Sequence, residues 1–258
     1  MRVALFASCL VDLFRPNAGF ATVSLLENAG CIVDVPPEQT CCGQPAYNNG
    51  DKDNARDIAK QVINEFSDYE YIIVPSSSCA GMMIKHYPQL FEDNAEWYKK
   101  ATDFSAHCYD LVTFLHDILK ITSVPVTYQG NITYHDSCSS LRETRVKDKT
   151  RHLLACNEKI NLLELGNPEA CCGFGGTFCV KYPEISESMV NDKIADIEAT
   201  GADTVVSGDM GCLLNIAGRL KRLNKPIKVF HIAEVLAGMT GIAAIGDADD
   251  TKKSEPSS

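Results

Sequence analysis

The sequence predicts an α/β fold made of two tandem, internally duplicated units, each with a parallel-type sheet and related to the other by a pseudo-two-fold. Two observations lead to this prediction. A pattern of four cysteines occurs twice along the 258 residues, and short strand-like runs alternate with helix-like segments in both halves. Strands that alternate with helices pair in parallel through right-handed crossovers, so each half is expected to build its own sheet.

The cysteine pattern repeats with nearly constant spacing. The two halves carry, in order, Cys9, Cys41-Cys42-Gly43 and Cys79, and then Cys138, Cys171-Cys172-Gly173 and Cys212. Matching cysteines are 129, 130 and 133 residues apart. A fixed period of this kind indicates an internal duplication, which determines the architecture.

Each half contains the same succession of predicted elements. Strand-like runs rich in β-branched or aromatic residues precede the first and last cysteines, at residues 3–6, 71–74, 131–134 and 204–206. Helical spacing of apolar residues follows each triplet at 53–66 and 184–200, and helix-like segments close the halves at 110–120 and 231–239. The cysteines therefore follow strands, at the sheet edge where α/β proteins form their sites.

These elements divide the chain into three segments. We predict a first unit over residues 1–124, a second unit over residues 125–242 and a disordered tail over residues 243–258. The boundary is expected within residues 121–130, which include Pro125. The end of the chain is rich in charged and small polar residues, which cannot bury enough apolar surface to fold.

Composition and charge argue against several functional classes. The net charge is −10 and the pI is about 5.1, whereas binding to nucleic acids or anionic lipids needs clustered Lys and Arg. No apolar run approaches the ~18–20 residues of a membrane span. The apolar run at 3–11 has no signal-peptide cleavage site and is better interpreted as a buried strand. We expect a cytoplasmic protein with no nucleic-acid partner and no membrane insertion.

Cysteine is the unusual component of this sequence, with 12 residues. In a reducing compartment, cysteines bind metals or do redox chemistry more often than they form disulfides. Thiolates select zinc, copper(I) and iron–sulfur clusters, and four of them suit zinc or [4Fe–4S]. Gaps of 31 and 36 residues in the first half, and of 32 and 39 in the second, do not match the close cysteine pairs of zinc fingers. Each site must therefore be assembled from three separate loops.

The eight repeated cysteines are the predicted ligands: Cys9, Cys41, Cys42, Cys79, Cys138, Cys171, Cys172 and Cys212. Adjacent cysteines face opposite sides of a regular strand, so each pair can serve one centre only where the backbone turns. Gly43 and Gly173 permit such a turn. Weaker candidates are Ser76 and Asp209 as oxygen ligands, Cys179 as a substitute ligand or a redox partner, and His135 as a ligand or a hydrogen-bond donor to a cluster sulfur.

These motifs resemble the cysteine-rich CCG domain, which occurs in heterodisulfide reductases and in glycolate oxidase iron–sulfur subunits. The resemblance covers about residues 1–240 and is greatest to the lactate-utilisation protein A group. Its most specific motifs are Cys-Cys-Gly-Gln-Pro-Ala (41–46), Cys-Cys-Gly-Phe-Gly-Gly-Thr-Phe (171–178) and His-Ile-Ala-Glu-Val-Leu (231–236). The full CCG pattern ends in CxxC, but Ser76 and Asp209 replace the first cysteine of that pair here. This departure argues against the noncubane clusters of heterodisulfide reductase.

The resemblance implies an oxidoreductase subunit that acts in L-lactate oxidation to pyruvate and is not catalytic without its partners. Those partners would be the other subunits of a lactate-utilisation iron–sulfur complex, and no catalytic residue is assigned. One [4Fe–4S] cluster per half, relaying electrons, is the leading hypothesis, with zinc in one or both halves as the alternative. A zinc-stabilised assembly scaffold, a heterodisulfide-reductase-like enzyme and a glycolate oxidase iron–sulfur subunit remain competing functions.

Overall fold

The computed structural model describes residues 1–124 and 127–247. The first unit consists of β1 (Arg2–Leu5), α1 (Cys9–Phe14), α2 (Pro16–Asn28), β2 (Ile32–Asp34), α3 (Gln44–Asn48), α4 (Lys52–Glu65), β3 (Ile72–Val74), α5 (Ser77–Gly81), α6 (Tyr87–Leu90), α7 (Ala95–Ala106), β4 (Cys108–Asp110) and α8 (Leu111–Thr113). Wider π-helical turns at Met82–His86 and Phe114–Ile118 extend α5 and α8.

The second unit repeats this order with fewer helices among the described residues. It consists of β5 (Gly130–Tyr134), α9 (Cys138–Arg142), α10 (Lys147–Ala155), β6 (Ile160–Leu162), α11 (Phe178–Lys181), α12 (Pro183–Ala199), β7 (Thr204–Ser207), α13 (Met210–Arg222), β8 (Lys228–His231) and α14 (Ile232–Leu236). No helix in the described part of the chain is long and apolar enough to cross a bilayer.

The strands form two four-stranded sheets within the described residues, and every pairing is parallel. Their orders are β2-β1-β3-β4 and β6-β5-β7-β8, so the second sheet repeats the first. The predicted α/β fold with two tandem parallel units is therefore confirmed. The parallel arrangement brings the carboxyl ends of β1 and β3, and of β5 and β7, to one edge of each sheet.

Alternation along the strands divides the core into three clusters. One face of each sheet points into a shared central cluster that contains Val3, Ile73, Ile132 and Val206. The opposite faces pack under separate helices, with Ala4 in the first unit's outer cluster and Val205 in the second's. Successive residues of a strand face opposite sides of the sheet. A single strand therefore contributes side chains both to the central cluster between the units and to the outer cluster of its own unit.

Helices of each unit pack against helices of the other unit around this central cluster. Helix α2 of the first unit packs against α14 of the second, and α10 of the second unit packs against α8 of the first. A buried ion pair closes the first of these contacts, where Arg15 Nε lies 2.8 Å from Glu234 Oε1. This reciprocal packing gives the two units their pseudo-two-fold relation.

The segment predicted as a tail begins inside the described residues. Ala244 and Ile245 are buried, and the backbone N–H of Ile245 donates to the carbonyl of Val229. These residues extend the core, because Ala244 packs in the central cluster and Ile245 in the outer cluster of the second unit. Pro125 and residues 248–258 lie outside the described residues, and the domain boundaries stay a prediction.

Candidate metal centres

The structure places the eight repeated cysteines beside the strand ends in two matching arrangements. Cys9 and Cys138 are the first residues of α1 and α9, directly beyond β1 and β5. Cys79 and Cys212 occupy the first turns of α5 and α13, which follow β3 and β7. The two Cys-Cys pairs lie in the loops after β2 and β6. Three chain segments therefore converge in each unit.

In the first unit, contacts between thiols link the four cysteines in a chain that runs from Cys9 through Cys41 and Cys42 to Cys79. The Cys9 thiol donates to Cys41, with the two sulfurs 3.8 Å apart. The Cys42 thiol interacts with both Cys41 and Cys79. We call these four residues (Cys9, Cys41, Cys42 and Cys79) the first set.

A cavity of about 240 Å³ adjoins the first set. Cys9, Cys41, Cys42 and Cys79 line it together with Ser8, whose Oγ is buried and has no hydrogen-bond partner. The second unit contributes to the same cavity through side chains of its Cys-Cys-Gly loop region, namely Phe174, Thr177 and Val180. The first set therefore faces a partly open cavity whose lining comes from both units.

In the second unit, the matching thiols also converge. The Cys172 thiol donates to Cys212, with the sulfurs 2.9 Å apart. Cys171 interacts with Cys172, and charge interactions link Cys138 to both Cys171 and Cys212. Cys138 is exposed, whereas Cys172 and Cys212 are buried. We call Cys138, Cys171, Cys172 and Cys212 the second set.

The glycine of each triplet turns the backbone so that adjacent cysteines serve one set. Gly43 and Gly173 both have φ of 80°. The carbonyl of Cys42 accepts from the Tyr87 hydroxyl at 3.0 Å, and that of Cys172 accepts from Asn215 Nδ2 at 2.8 Å. Glycine adopts a positive φ at lower cost than any other residue, so the turn favours glycine as the third residue of each triplet.

The pKa of the Cys41 thiol in the first set is lowered, whereas the pKa of every thiol in the second set is raised. Hydrogen bonds from the Cys42 and Cys9 thiols lower the pKa of Cys41 to about 2. The hydrogen bond from Cys172 lowers the pKa of Cys212, but burial and the nearby Asp209 carboxylate outweigh it and raise that pKa to about 12. Thiols that stay protonated at neutral pH must release their protons to bind a metal, so metal binding at these sets would be proton-coupled.

His135 lies beside the second set. One of its ring nitrogens is within 4.8 Å of the sulfurs of Cys172 and Cys212. Burial, with a smaller contribution from Lys193, lowers the pKa of His135 to about 3. The imidazole is therefore neutral at physiological pH and offers a lone pair.

Of the other weaker candidates, Asp209 uses its carboxylate oxygens to accept hydrogen bonds from backbone N–H groups. Its carboxylate accepts from the backbone N–H of Cys212, capping α13, and from that of Ser78 at 2.8 Å in the other unit. Ser76 precedes α5 and lines the first cavity. The Cys179 thiol donates to the carbonyl of Gly176.

The remaining three cysteines, Cys31, Cys108 and Cys156, lie outside both sets and have their own packing environments. The Cys108 thiol, for example, donates to the Phe104 carbonyl, and the Cys156 thiol donates to the carbonyl of His152. Cys31 is buried in the central cluster. These contacts are those of ordinary thiols packed within a fold.

Two features of these sites escaped sequence reasoning. Phe174 and Val180 belong to the second unit yet line the first cavity, and only the packing of the two units against each other shows this. Lys193 is a fully buried cation near Cys172, with Nζ donating to the Asn167 carbonyl. The sequence did contain a signal for this buried lysine, because Lys193 stands at a position where helical spacing predicts an apolar residue.

Replacing Gly173 by Ala is expected to destabilise the protein by about 2 kcal/mol or more, because backbone strain and crowding add. An added Cβ would lie 2.6 Å from the carbonyl oxygen of Ser186, besides the strain of φ at +80°. The matched control is Gly50→Ala, at φ +78° with nothing within 4 Å, which is expected to cost about 1 kcal/mol. Urea unfolding of both variants checks this, and equal losses would contradict it.

The comparison with known protein families shows the same internal repeat. The model of the CCG cysteine-rich domain matches residues 3–84 and 132–217, one match in each unit. The chain belongs to the CCG cysteine-rich domain family. In this CCG protein, each of the two matched regions includes all four cysteines of the corresponding set.

Relatives of this CCG protein match almost the whole chain. Lactate utilization protein A from Geobacillus kaustophilus (strain HTA426) is 50% identical over 236 residues, which cover 92% of this chain and 98% of that protein. Lactate utilization protein A from Geobacillus sp. (strain WCH70) is also 50% identical, with 92% and 99% covered. The resemblance to the lactate-utilisation protein A group is therefore confirmed.

Among solved structures, a glutamate racemase from Francisella tularensis covers 92% of this chain and 78% of its own at 11% identity. The TM-score is 0.35, and this similarity carries no argument about fold or function.

Proposed function

We propose that this CCG protein is the iron–sulfur redox subunit of an L-lactate oxidation complex, in which it relays electrons released as lactate becomes pyruvate. The observation that carries the proposal is the pair of four-thiol sets, one per unit, in a chain whose relatives are named for lactate utilization. The sets are built alike, on the same edge of two equivalent sheets.

The residues of the first set fit a [4Fe–4S] cluster. Cys9, Cys41, Cys42 and Cys79 supply four thiol sulfurs, the number and chemistry that such a cluster takes. They face a cavity of about 240 Å³, and the buried Ser8 Oγ in its lining has no partner within the protein. In the second unit, the sulfurs of Cys138, Cys171, Cys172 and Cys212 would hold the other centre. Bound clusters would supply reversible one-electron transfer.

The protein's own residues set the surroundings and the connection of the two sites. Burial of Cys42, Cys79, Cys172 and Cys212 excludes water from the inner side of each set, and burial is one of the factors that tune cluster potentials. The helix starts that carry Cys79 and Cys212 touch directly. The N–H of Ser77 donates to the Gly208 carbonyl at 3.0 Å, alongside the bond from Ser78 to Asp209. This contact supports a short path between the sites.

Partner subunits would dock where the sets approach the surface. Cys9 and Cys41 are half-buried, and the exposed apolar side chains of Leu13 and Val180 lie near the first set, on α1 and in the cavity lining respectively. Apolar side chains exposed beside a site favour contact with another protein. We propose that other subunits of the complex bind at this surface to deliver or accept electrons.

We also propose a cytoplasmic location. The proposed thiolate metal sites need cysteines that stay reduced, and a reducing compartment maintains them in that state.

Metal analysis of anaerobically prepared protein tests the proposal. We expect about eight iron and eight sulfide per chain, visible absorption, and an EPR signal on reduction with dithionite. About four iron with one zinc also supports the redox role, with electron transfer confined to one unit. Two zinc ions and a colourless protein would overturn the redox function and leave an assembly scaffold.

A further inference from the structure

His135 occupies a position that the internal repeat makes comparable with one in the first unit. Its N–H donates to the Val206 carbonyl at 2.8 Å, one residue beyond β5. Phe6 stands in the same place beyond β1, where its N–H donates to the Ile73 carbonyl at 2.9 Å. The first unit therefore buries a phenyl ring, packed against Phe66, where the second unit buries an imidazole.

The imidazole of His135 has unmet hydrogen-bonding capacity. The residue is 1% exposed, and neither Nδ1 nor Nε2 has a hydrogen-bond partner. The Thr133 hydroxyl, on the same face of the strand, is also unpartnered, so these two side chains do not satisfy one another. A buried polar group without a partner costs about 1–3 kcal/mol, which a simple packing role does not explain because phenylalanine fills the equivalent place.

The backbone holds the His135 ring in position beside the second set. The His135 carbonyl accepts from the Ser207 hydroxyl at 2.8 Å. Together with the bond from the His135 N–H to Val206, this bond anchors the His135 backbone to β7. A ring nitrogen lies within 4.8 Å of the sulfurs of Cys172 and Cys212, and those two sulfurs are 2.9 Å apart. All three side chains are buried, and their potential ligand atoms face one small volume.

These separations suit ligands of a single metal ion. Distances of about 2.3 Å to sulfur and 2.0–2.1 Å to imidazole nitrogen put neighbouring ligand atoms of a tetrahedral ion roughly 3.5–3.8 Å apart. Small side-chain shifts bring the three atoms to that spacing. Cys171, whose thiol contacts Cys172, completes a set of four in this arrangement, in which His135 takes the place of the exposed Cys138.

We propose that His135 is a metal ligand, so that the second site binds its metal through one imidazole nitrogen and cysteine sulfurs while the first site uses sulfur alone. This inference adds a ligand to the second site of the proposed function. It rests on that function in one respect, which is that the second set binds a metal. Exchanging a thiolate for a neutral imidazole removes one negative charge from the ligand set. In iron–sulfur centres, histidine ligation of this kind raises the reduction potential.

Cobalt(II) is the probe for the test, since its visible spectrum reports thiolate and nitrogen ligands. The full chain, reduced and freed of metal, is titrated with Co²⁺ and then with competing Zn²⁺. Zinc-edge X-ray absorption counts the nitrogen and sulfur ligands. We expect His135→Phe, which installs the residue of the first unit, to weaken one of two sites at least 100-fold and to remove the nitrogen ligand. His152→Phe is the control and is expected to change neither, because His152 pairs with His116 away from both sets.

A second variant keeps the test decisive if His135→Phe folds poorly. His135→Cys is expected to restore tight binding with one more sulfur ligand and stronger thiolate absorption, a rescue that a structural histidine would not show. Unchanged affinity and nitrogen count in His135→Phe would overturn the inference. The metal content of the wild-type protein is read separately. A zinc-only wild type would end the redox proposal, while a His135 effect on Co²⁺ binding would still support the ligand assignment.

Discussion

Cys42→Ser is expected to remove the iron of the first site, leaving about four of about eight iron atoms per chain. Cys42 is buried, its thiol contacts both Cys41 and Cys79, and its carbonyl is held by the Tyr87 hydroxyl. A serine hydroxyl in this place stays protonated and is a poor ligand for a centre that selects soft thiolates. Iron and sulfide content of anaerobic preparations, with EPR after reduction, measures the effect.

The matched control for this experiment is Cys108→Ser. Cys108 is also buried in the first unit, but it lies outside the set, and a hydroxyl can replace its bond to the Phe104 carbonyl. This variant is expected to keep its full iron content. Full iron in Cys42→Ser, or an equal loss in both variants, would contradict the assignment of the first set.

Arg15→Met is expected to destabilise the protein by about 3–5 kcal/mol, the cost of leaving a buried charge without its partner. Arg15 precedes α2 of the first unit, and Glu234 lies on α14 of the second with no exposed surface. The Arg15 guanidinium also donates to the carbonyl of Ala243 at 2.8 Å. Removing it therefore leaves the Glu234 carboxylate buried at the joint between the units, with hydrogen bonds from Asn17 Nδ2 and the His231 N–H but without an opposite charge. The free energy of unfolding in urea measures the loss.

Two further variants separate the buried charge from general effects of losing a cation. Lys99→Met breaks an exposed pair with Asp103 and is expected to cost less than about 0.5 kcal/mol. Adding Glu234→Gln to Arg15→Met removes the stranded charge and is expected to recover part of the loss. A loss below about 1 kcal/mol in Arg15→Met would show that the ion pair does not hold the units together.

Several elements followed from the sequence with small shifts. The predicted helices at 53–66 and 184–200 correspond to α4 and α12, and all four predicted strands are present. Helix α4 shows clear apolar periodicity and the strands are short β-branched runs, so local pattern was sufficient there. Helix α12 is only weakly amphipathic, with Ile185 exposed and Lys193 buried. The outer strands β2, β4, β6 and β8 were not predicted, and neither were several helices, among them α2, α7, α10 and α13. Strands β2 and β6 have three residues each and are partly exposed, which leaves a weak pattern.

The candidate sites divide in the same way. The cysteine spacing predicted which thiols would share a unit, and the structure brings each group of four together. The spacing could not show that the Asp209 carboxylate accepts from two backbone N–H groups, one of them in the other unit. Nor could it show that Phe174 and Val180 of the second unit line the first cavity.

The sequence alone determined the duplicated α/β fold and the two groups of four cysteines, because a repeat and a periodic pattern are written in the order of residues. Only the tertiary structure decided which side chains from distant segments surround each group, and that Arg15 and Glu234 join the units. It also decided that the His135 imidazole is buried without a partner beside Cys172 and Cys212. Burial and hydrogen bonding depend on contacts between segments far apart in the chain, and no local pattern encodes those contacts.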